Sequence, residues 1–134
     1  MQETVTLGSA THIGLVRQKN EDSHAILQNG PGYPCALILA DGMGGHRGGE
    51  LAAEVATREA YAMLGNLSES SARELVDRAN KAVNRAGAEH GFDRLGTTLS
   101  ALVNRRTHTV VVSVGDSRVY RSRDGELEAL TRDH

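Results

Sequence analysis

The sequence predicts an α+β fold with mostly antiparallel sheet, because strand-like runs come first, two helices follow, and a strand meander closes the chain. Three observations carry this. A short continuous apolar run, Cys35 to Ala40, suits a buried strand. Two stretches in the middle repeat apolar residues at helical spacing. After Gly96, runs rich in β-branched residues alternate with turn signals.

In chain order, Val5, Leu7 and Ile13 suggest a first strand, and Ser23 to Leu27 a weaker second one. Gly30-Pro31-Gly32 is a turn cluster, and the apolar run from Pro34 to Asp41 follows it. Ala52, Val55, Ala56, Ala60 and Met63 share one face of a helix, which Gly65-Asn66 should stop. Ser71-Ala72-Arg73-Glu74 has the form of a capping box and opens a second helix. Ala72, Leu75, Val76, Ala79, Val83 and Ala86 form its apolar face, and the two helices are expected to pair antiparallel. Thr97 to Val103 and Thr107 to Val114 read as strands around a turn at Asn104-Arg105-Arg106. Asp124-Gly125 between two extended runs is a strong hairpin signal. The last residues, Leu130 to His134, offer neither a closing helix nor a polar tail, so the domain is expected to be interrupted there.

Composition narrows the function. Aromatic residues are 3% of the chain, with no Trp, so platforms for stacking bases are nearly absent. The net charge of -2 gives no basic footprint, and nucleic acid is not an expected partner. The single cysteine, Cys35, cannot form an internal disulfide and reads as a small buried hydrophobe. No signal peptide or membrane-length apolar run is visible, and a cytoplasmic setting is expected.

Candidate chemistry gathers around Asp41-Gly42-Met43-Gly44-Gly45-His46-Arg47-Gly48-Gly49-Glu50, where five of the chain's 15 glycines fall. A carboxylate at the end of a buried strand is held rigidly yet opens to a cleft. Hard cations such as Mg²⁺ take oxygen ligands of this kind, and Gly42 leaves a main-chain carbonyl open to approach. Taken alone, Asp-Gly reads as a turn, and the buried-type strand before it and the glycines after it favour the functional reading here. Gly44 to Gly49 matches P-loop glycine spacing, but Glu50 stands where a P-loop needs lysine and would repel phosphate. The dinucleotide fingerprint fails at Arg47. Upstream, Arg17 is suited to bidentate phosphoryl binding, with Glu21 and Asp22 nearby. By itself this stretch also fits a solvated surface. Asp116 is another acid at a strand break, where a plain turn competes as a reading, and Ser117 lacks the context of a nucleophile elbow.

Taken together, Gly14-x-x-Arg17-x-x-Asn20-Glu21-Asp22, Ala40 to His46, Gly96-Thr97-Thr98 and Val114 to Arg118 resemble the type 2C family of metal-dependent protein serine/threonine phosphatases. The four motifs occur in the family's order, and the Asp-Gly-Met-Gly-Gly form is similar to its bacterial branch. The resemblance implies two packed antiparallel sheets flanked by helices, an αββα sandwich incomplete at the C-terminus. Residues 1–134 would then be the N-terminal part of a single phosphatase domain. It implies two Mg²⁺ or Mn²⁺ ions, with a third in some members. Asp41 would bridge two of them, the Gly42 carbonyl would bind one, Asp22 with Glu21 would act through water, and Asp116 would match the third position. Arg17 would hold the substrate phosphate and His46 would touch substrate. The expected partners are phosphorylated proteins, the substrates of a serine/threonine kinase.

Two departures stand out. Met43 occupies the position where many eukaryotic members place a histidine proton donor. The family's later metal-binding aspartates have no counterpart in these residues. Hydrolysis is therefore expected of the whole protein rather than of these residues alone. The competing reading is a non-catalytic module of the same fold that binds a phosphoprotein or another partner.

Overall fold

The computed structural model describes residues 5–28, 35–44, 48–64, 71–105 and 107–134. The turn cluster at Gly30-Pro31-Gly32, the helix stop at Gly65-Asn66, Arg106 and His46 lie outside the described residues.

Among the described residues nine elements follow in order: β1 (Asp22–Gln28), β2 (Cys35–Met43), α1 (Gly48–Met63), α2 (Ala72–His90), β3 (Gly96–Thr97), β4 (Leu99–Asn104), β5 (Thr109–Val114), β6 (Tyr120–Arg123) and β7 (Glu126–Ala129). The first five strands make an antiparallel sheet ordered β1-β2-β4-β5, with β3 pairing the end of β2. A separate two-stranded sheet is formed by β6 and β7. Antiparallel sheet with two helices is the predicted α+β class. No strand forms over residues 5–14.

Strand period two decides which side of the large sheet is dry. Ala36, Ile38, Ala101, Val103, Val110 and Val112 alternate onto one face and are buried with Ala52, Val55, Ala56 and Ala60 of α1. Small side chains on that helix let it lie close to the sheet. Leu64, Leu75, Ala79 and Val83 complete the core between the helices. Leu75 is fully buried, and a side chain of its size contributes roughly 1.5–3 kcal/mol on transfer from water. The N-cap of α2 is Ser71, but its backbone is in the right-handed helical region and its side chain makes no cap hydrogen bond. The first hydrogen bond of the helix runs from the Leu75 N–H to the Ser71 carbonyl at 3.0 Å. Gly91 ends the helix in a left-handed turn at φ 72°, where the N–H of Phe92 returns to the Gly87 carbonyl at 2.8 Å.

The opposite face of the sheet carries Leu37, Leu102 and Val111 above a cavity of about 790 Å³. Val5, Leu7, Tyr120 and Leu130 line its other side. The β6–β7 hairpin thus faces the second side of the large sheet. Its turn matches the sequence signal, with Asp124 at φ 52° and Gly125 at φ 80°.

Candidate functional site

The site forms at one end of this second face. The register of β1 on β2 sets Asp22 directly opposite Asp41. Both side chains therefore project from the same face, one at the start of β1 and one near the end of β2. A cavity of about 220 Å³ opens there, lined by His12, Arg17, Asn20, Glu21, Asp22, Asp41 and Gly42 among others. Arg17 is on the loop that precedes β1. Its guanidinium lies 3.7 Å from Glu21 and remains 77% exposed, so a ligand can reach it.

Several short contacts hold that loop in place. Gly14 adopts φ 86° and donates its N–H to His12 Nδ1 at 2.8 Å. Asn20 Nδ2 donates to Thr11 Oγ1 at 2.8 Å, while Asn20 Oδ1 accepts the Asp22 N–H at 3.1 Å. Lys19 reaches Glu50 in the first turn of α1 at 3.4 Å, which ties the loop to the helix. None of His12, Lys19 or Asn20 was assigned a role from sequence. Asn20 stands in the Asn20-Glu21-Asp22 motif, and its position two residues before Asp22 is the turn signal that could have revealed it.

Glycines bring α1 against the end of β2. A Cβ on Gly42 would sit 1.9 Å from the Gly49 carbonyl oxygen, and the Gly42 N–H donates to the Glu21 carbonyl at 3.0 Å. A Cβ on Gly49 would meet the Glu21 carboxyl group at 2.8 Å. Glu21 therefore packs toward α1, while Asp22 faces Asp41. Asp116 is on the loop after β5 and does not line the 220 Å³ cavity, but its charge acts on Asp41. His46 is outside the described residues.

The Asp41 carboxyl is pushed above the ordinary carboxylate range. Partial burial is the main cause, followed by the charge of Asp22, a hydrogen bond with Asp22, and the charges of Asp116 and Glu21. These oxygens repel one another when ionised. The facing pair Asp22 and Asp41 fits one side of a divalent cation, which would neutralise it and take waters in its remaining positions. Among the described residues, no group of three or more His, Cys, Asp or Glu side chains is arranged to hold a metal ion. The nucleus is the facing pair Asp22 and Asp41, with the Gly42 carbonyl beside it.

Comparisons with known proteins bear on the family and the fold. The family described as protein phosphatase 2C matches residues 11–134. The serine/threonine phosphatase stp of Listeria welshimeri is 37% identical over 133 residues, covering 92% of this chain and 52% of the relative. The serine/threonine protein phosphatase PstP of Mycobacterium tuberculosis is 38% identical over 131 residues, 90% of this chain and 23% of that protein. Among solved structures, the S. agalactiae serine/threonine phosphatase superposes with a TM-score of 0.76 at 31% identity, covering 93% of this chain and 54% of that one. The catalytic domain of PstP in complex with two manganese ions gives 0.68 at 36% identity, covering 91% and 53%. The chain thus spans about half the length of the Listeria relative and of these two solved chains.

Proposed function

Because this chain belongs to the protein phosphatase 2C family of protein serine/threonine phosphatases, we propose that the protein hydrolyses phosphoserine and phosphothreonine on proteins that a serine/threonine kinase has modified. In this proposal residues 1–134 are the N-terminal part of one phosphatase domain. The observation that carries it is the facing pair Asp22–Asp41 beside the accessible guanidinium of Arg17. One feature collects cations and the other collects phosphate oxygens, and the two line the same cavity.

Asp22, Asp41 and the Gly42 carbonyl are the groups proposed to hold Mg²⁺ or Mn²⁺, with Asp116 and Glu21 adding negative charge around them. When bound, such ions supply Lewis acidity that activates water and neutralises charge on phosphoryl oxygens. The chain's own residues do the positioning. Arg17 binds two non-bridging oxygens of the phosphate in its planar fork and keeps its charge throughout. Glu21 orients that guanidinium from 3.7 Å. His46 is proposed to touch the substrate. Met43 is exposed and has no proton to give, so the leaving alkoxide takes its proton from water.

The test is release of phosphate from a phosphothreonine peptide, with Mn²⁺ titrated in and EDTA as control. The whole protein is expected to turn the peptide over only with metal, and Asp41→Asn to abolish turnover. The 134 residues alone are expected to bind the peptide with little hydrolysis. Peptide binding by the whole protein with no metal-dependent release would replace the enzyme by a phosphoprotein-binding module.

A further inference from the structure

The strand beside β2 is interrupted at one residue. Pairing of Leu39 with Ser100 on one side, and of Gly42 with Thr97 on the other, places Asp41 opposite Thr98. In a regular antiparallel pair at such a position, each residue gives its N–H to the other's carbonyl. Half of that exchange is intact: the Thr98 N–H donates to the Asp41 carbonyl at 3.0 Å. The other half is rerouted. The Asp41 N–H donates to the side-chain oxygen of Thr98 at 2.9 Å. The Thr98 carbonyl accepts the Thr97 hydroxyl at 2.8 Å instead. A hydroxyl has replaced a carbonyl in the ladder, and it has done so at the carboxylate on which the site depends.

The Thr98 side chain is fixed from the other side as well. It is buried, and its hydroxyl lies 2.8 Å from the Ser117 hydroxyl. Gly115, at φ 102°, packs so closely that a Cβ there would fall 2.7 Å from the Thr98 methyl group. The methyl thus points at Gly115 and the hydroxyl toward Asp41 and Ser117. Because the Thr98 oxygen accepts from Asp41, its remaining hydrogen and lone pair are free to bond Ser117. One side chain thereby links the main chain of Asp41 to the loop that carries Asp116.

We propose that Thr98 is a positioning residue: its hydroxyl sets the backbone of Asp41 and couples it to the Gly115–Ser117 loop, so that Asp41 and Asp116 address bound cations as one unit. The cation half of this rests on the phosphatase reading above, and the hydrogen-bond half does not.

The experiment compares wild type, Thr98→Val, Thr98→Ser and Ser117→Ala by amide hydrogen exchange and by Mn²⁺ titration followed by electron paramagnetic resonance. Valine keeps the shape and leaves the Asp41 N–H without its acceptor, so exchange at that amide is expected to quicken at least about tenfold. The Mn²⁺ concentration for half-saturation is expected to rise by a similar factor of about ten. Thr98→Ser restores the hydroxyl and is expected to stay within about threefold of wild type in both readouts. Ser117→Ala is expected to leave the Asp41 amide protected while shifting the Asp116 resonance, and it remains informative if Thr98→Val fails to fold. An unchanged Asp41 amide in folded Thr98→Val, or a serine variant as perturbed as the valine one, overturns the proposal. So does an unshifted Asp116 in Ser117→Ala. If wild type takes up no Mn²⁺ while Thr98→Val still quickens exchange at Asp41, the cation half falls and the hydrogen-bond hold stands.

Discussion

Replacing Gly42 with alanine tests the contact that seats α1 against the end of β2. The added Cβ would lie 1.9 Å from the Gly49 carbonyl oxygen, 2.4 Å from the carbon bearing it and 2.9 Å from the Glu21 carbonyl oxygen. All three atoms are backbone, so no side chain can rotate out of the way. Either the helix start or the strand end must retreat by more than an ångström. Inserting a methyl into a packed interior costs typically about 1–3 kcal/mol, and two rigid walls put Gly42→Ala at the top of that range or above it. With a urea m-value of roughly 1–3 kcal/mol/M for a small protein, the unfolding midpoint should fall by about 1 M or more at unchanged slope. Gly8→Ala is the control, since nothing lies within 4 Å of its Cβ position, and it should move stability by less than about 0.5 kcal/mol. A Gly42→Ala midpoint as close to wild type as that of the control would refute the close approach.

Three further outcomes are expected. Leu75→Ala empties a fully buried position in the helix–sheet core and should cost about 2–5 kcal/mol, read from thermal or urea unfolding. Arg17→Ala should leave unfolding unchanged, because the side chain is largely exposed, yet weaken phosphothreonine-peptide binding roughly ten- to hundredfold in calorimetry. Asp41 has a folded pKa above its unfolded one, so its ionisation opposes the fold. Without metal, stability should therefore fall as pH rises from the ordinary carboxylate range through the raised value, and Asp41→Asn should flatten that fall in Tm measured against pH with EDTA.

Much of the fold was legible because its signals are local. The helical spacing of Leu75, Ala79, Val83 and Ala86 predicted α2, and all four residues are buried. The apolar run ending at Asp41 predicted β2, and Asp124-Gly125 predicted the β6–β7 turn. Val5 and Leu7 were read as a strand, but alternation only makes a strand if a partner edge is available. They line the cavity beneath the second face instead. The capping box at Ser71 failed for a similar reason, since its backbone had already entered helical geometry.

The site was legible as residue types and not as an arrangement. Arg17, Asp22 and Asp41 stood out by motif, but their meeting depends on the register of β1 on β2, which sequence spacing does not fix. Thr98 stands in the Gly96-Thr97-Thr98 motif but carries no role there, because a β-branched residue between strand residues reads as more strand. Only the pairing shows that its hydroxyl has displaced its carbonyl.

The most direct test of the site is Mn²⁺ binding to this chain, followed by loss of the free-ion paramagnetic signal in wild type, Asp22→Asn and Asp41→Asn. Saturable binding in wild type that is weakened at least about tenfold in each variant is expected if the facing carboxylates hold the cation. Binding that is absent in wild type, or equal in all three proteins, would contradict it.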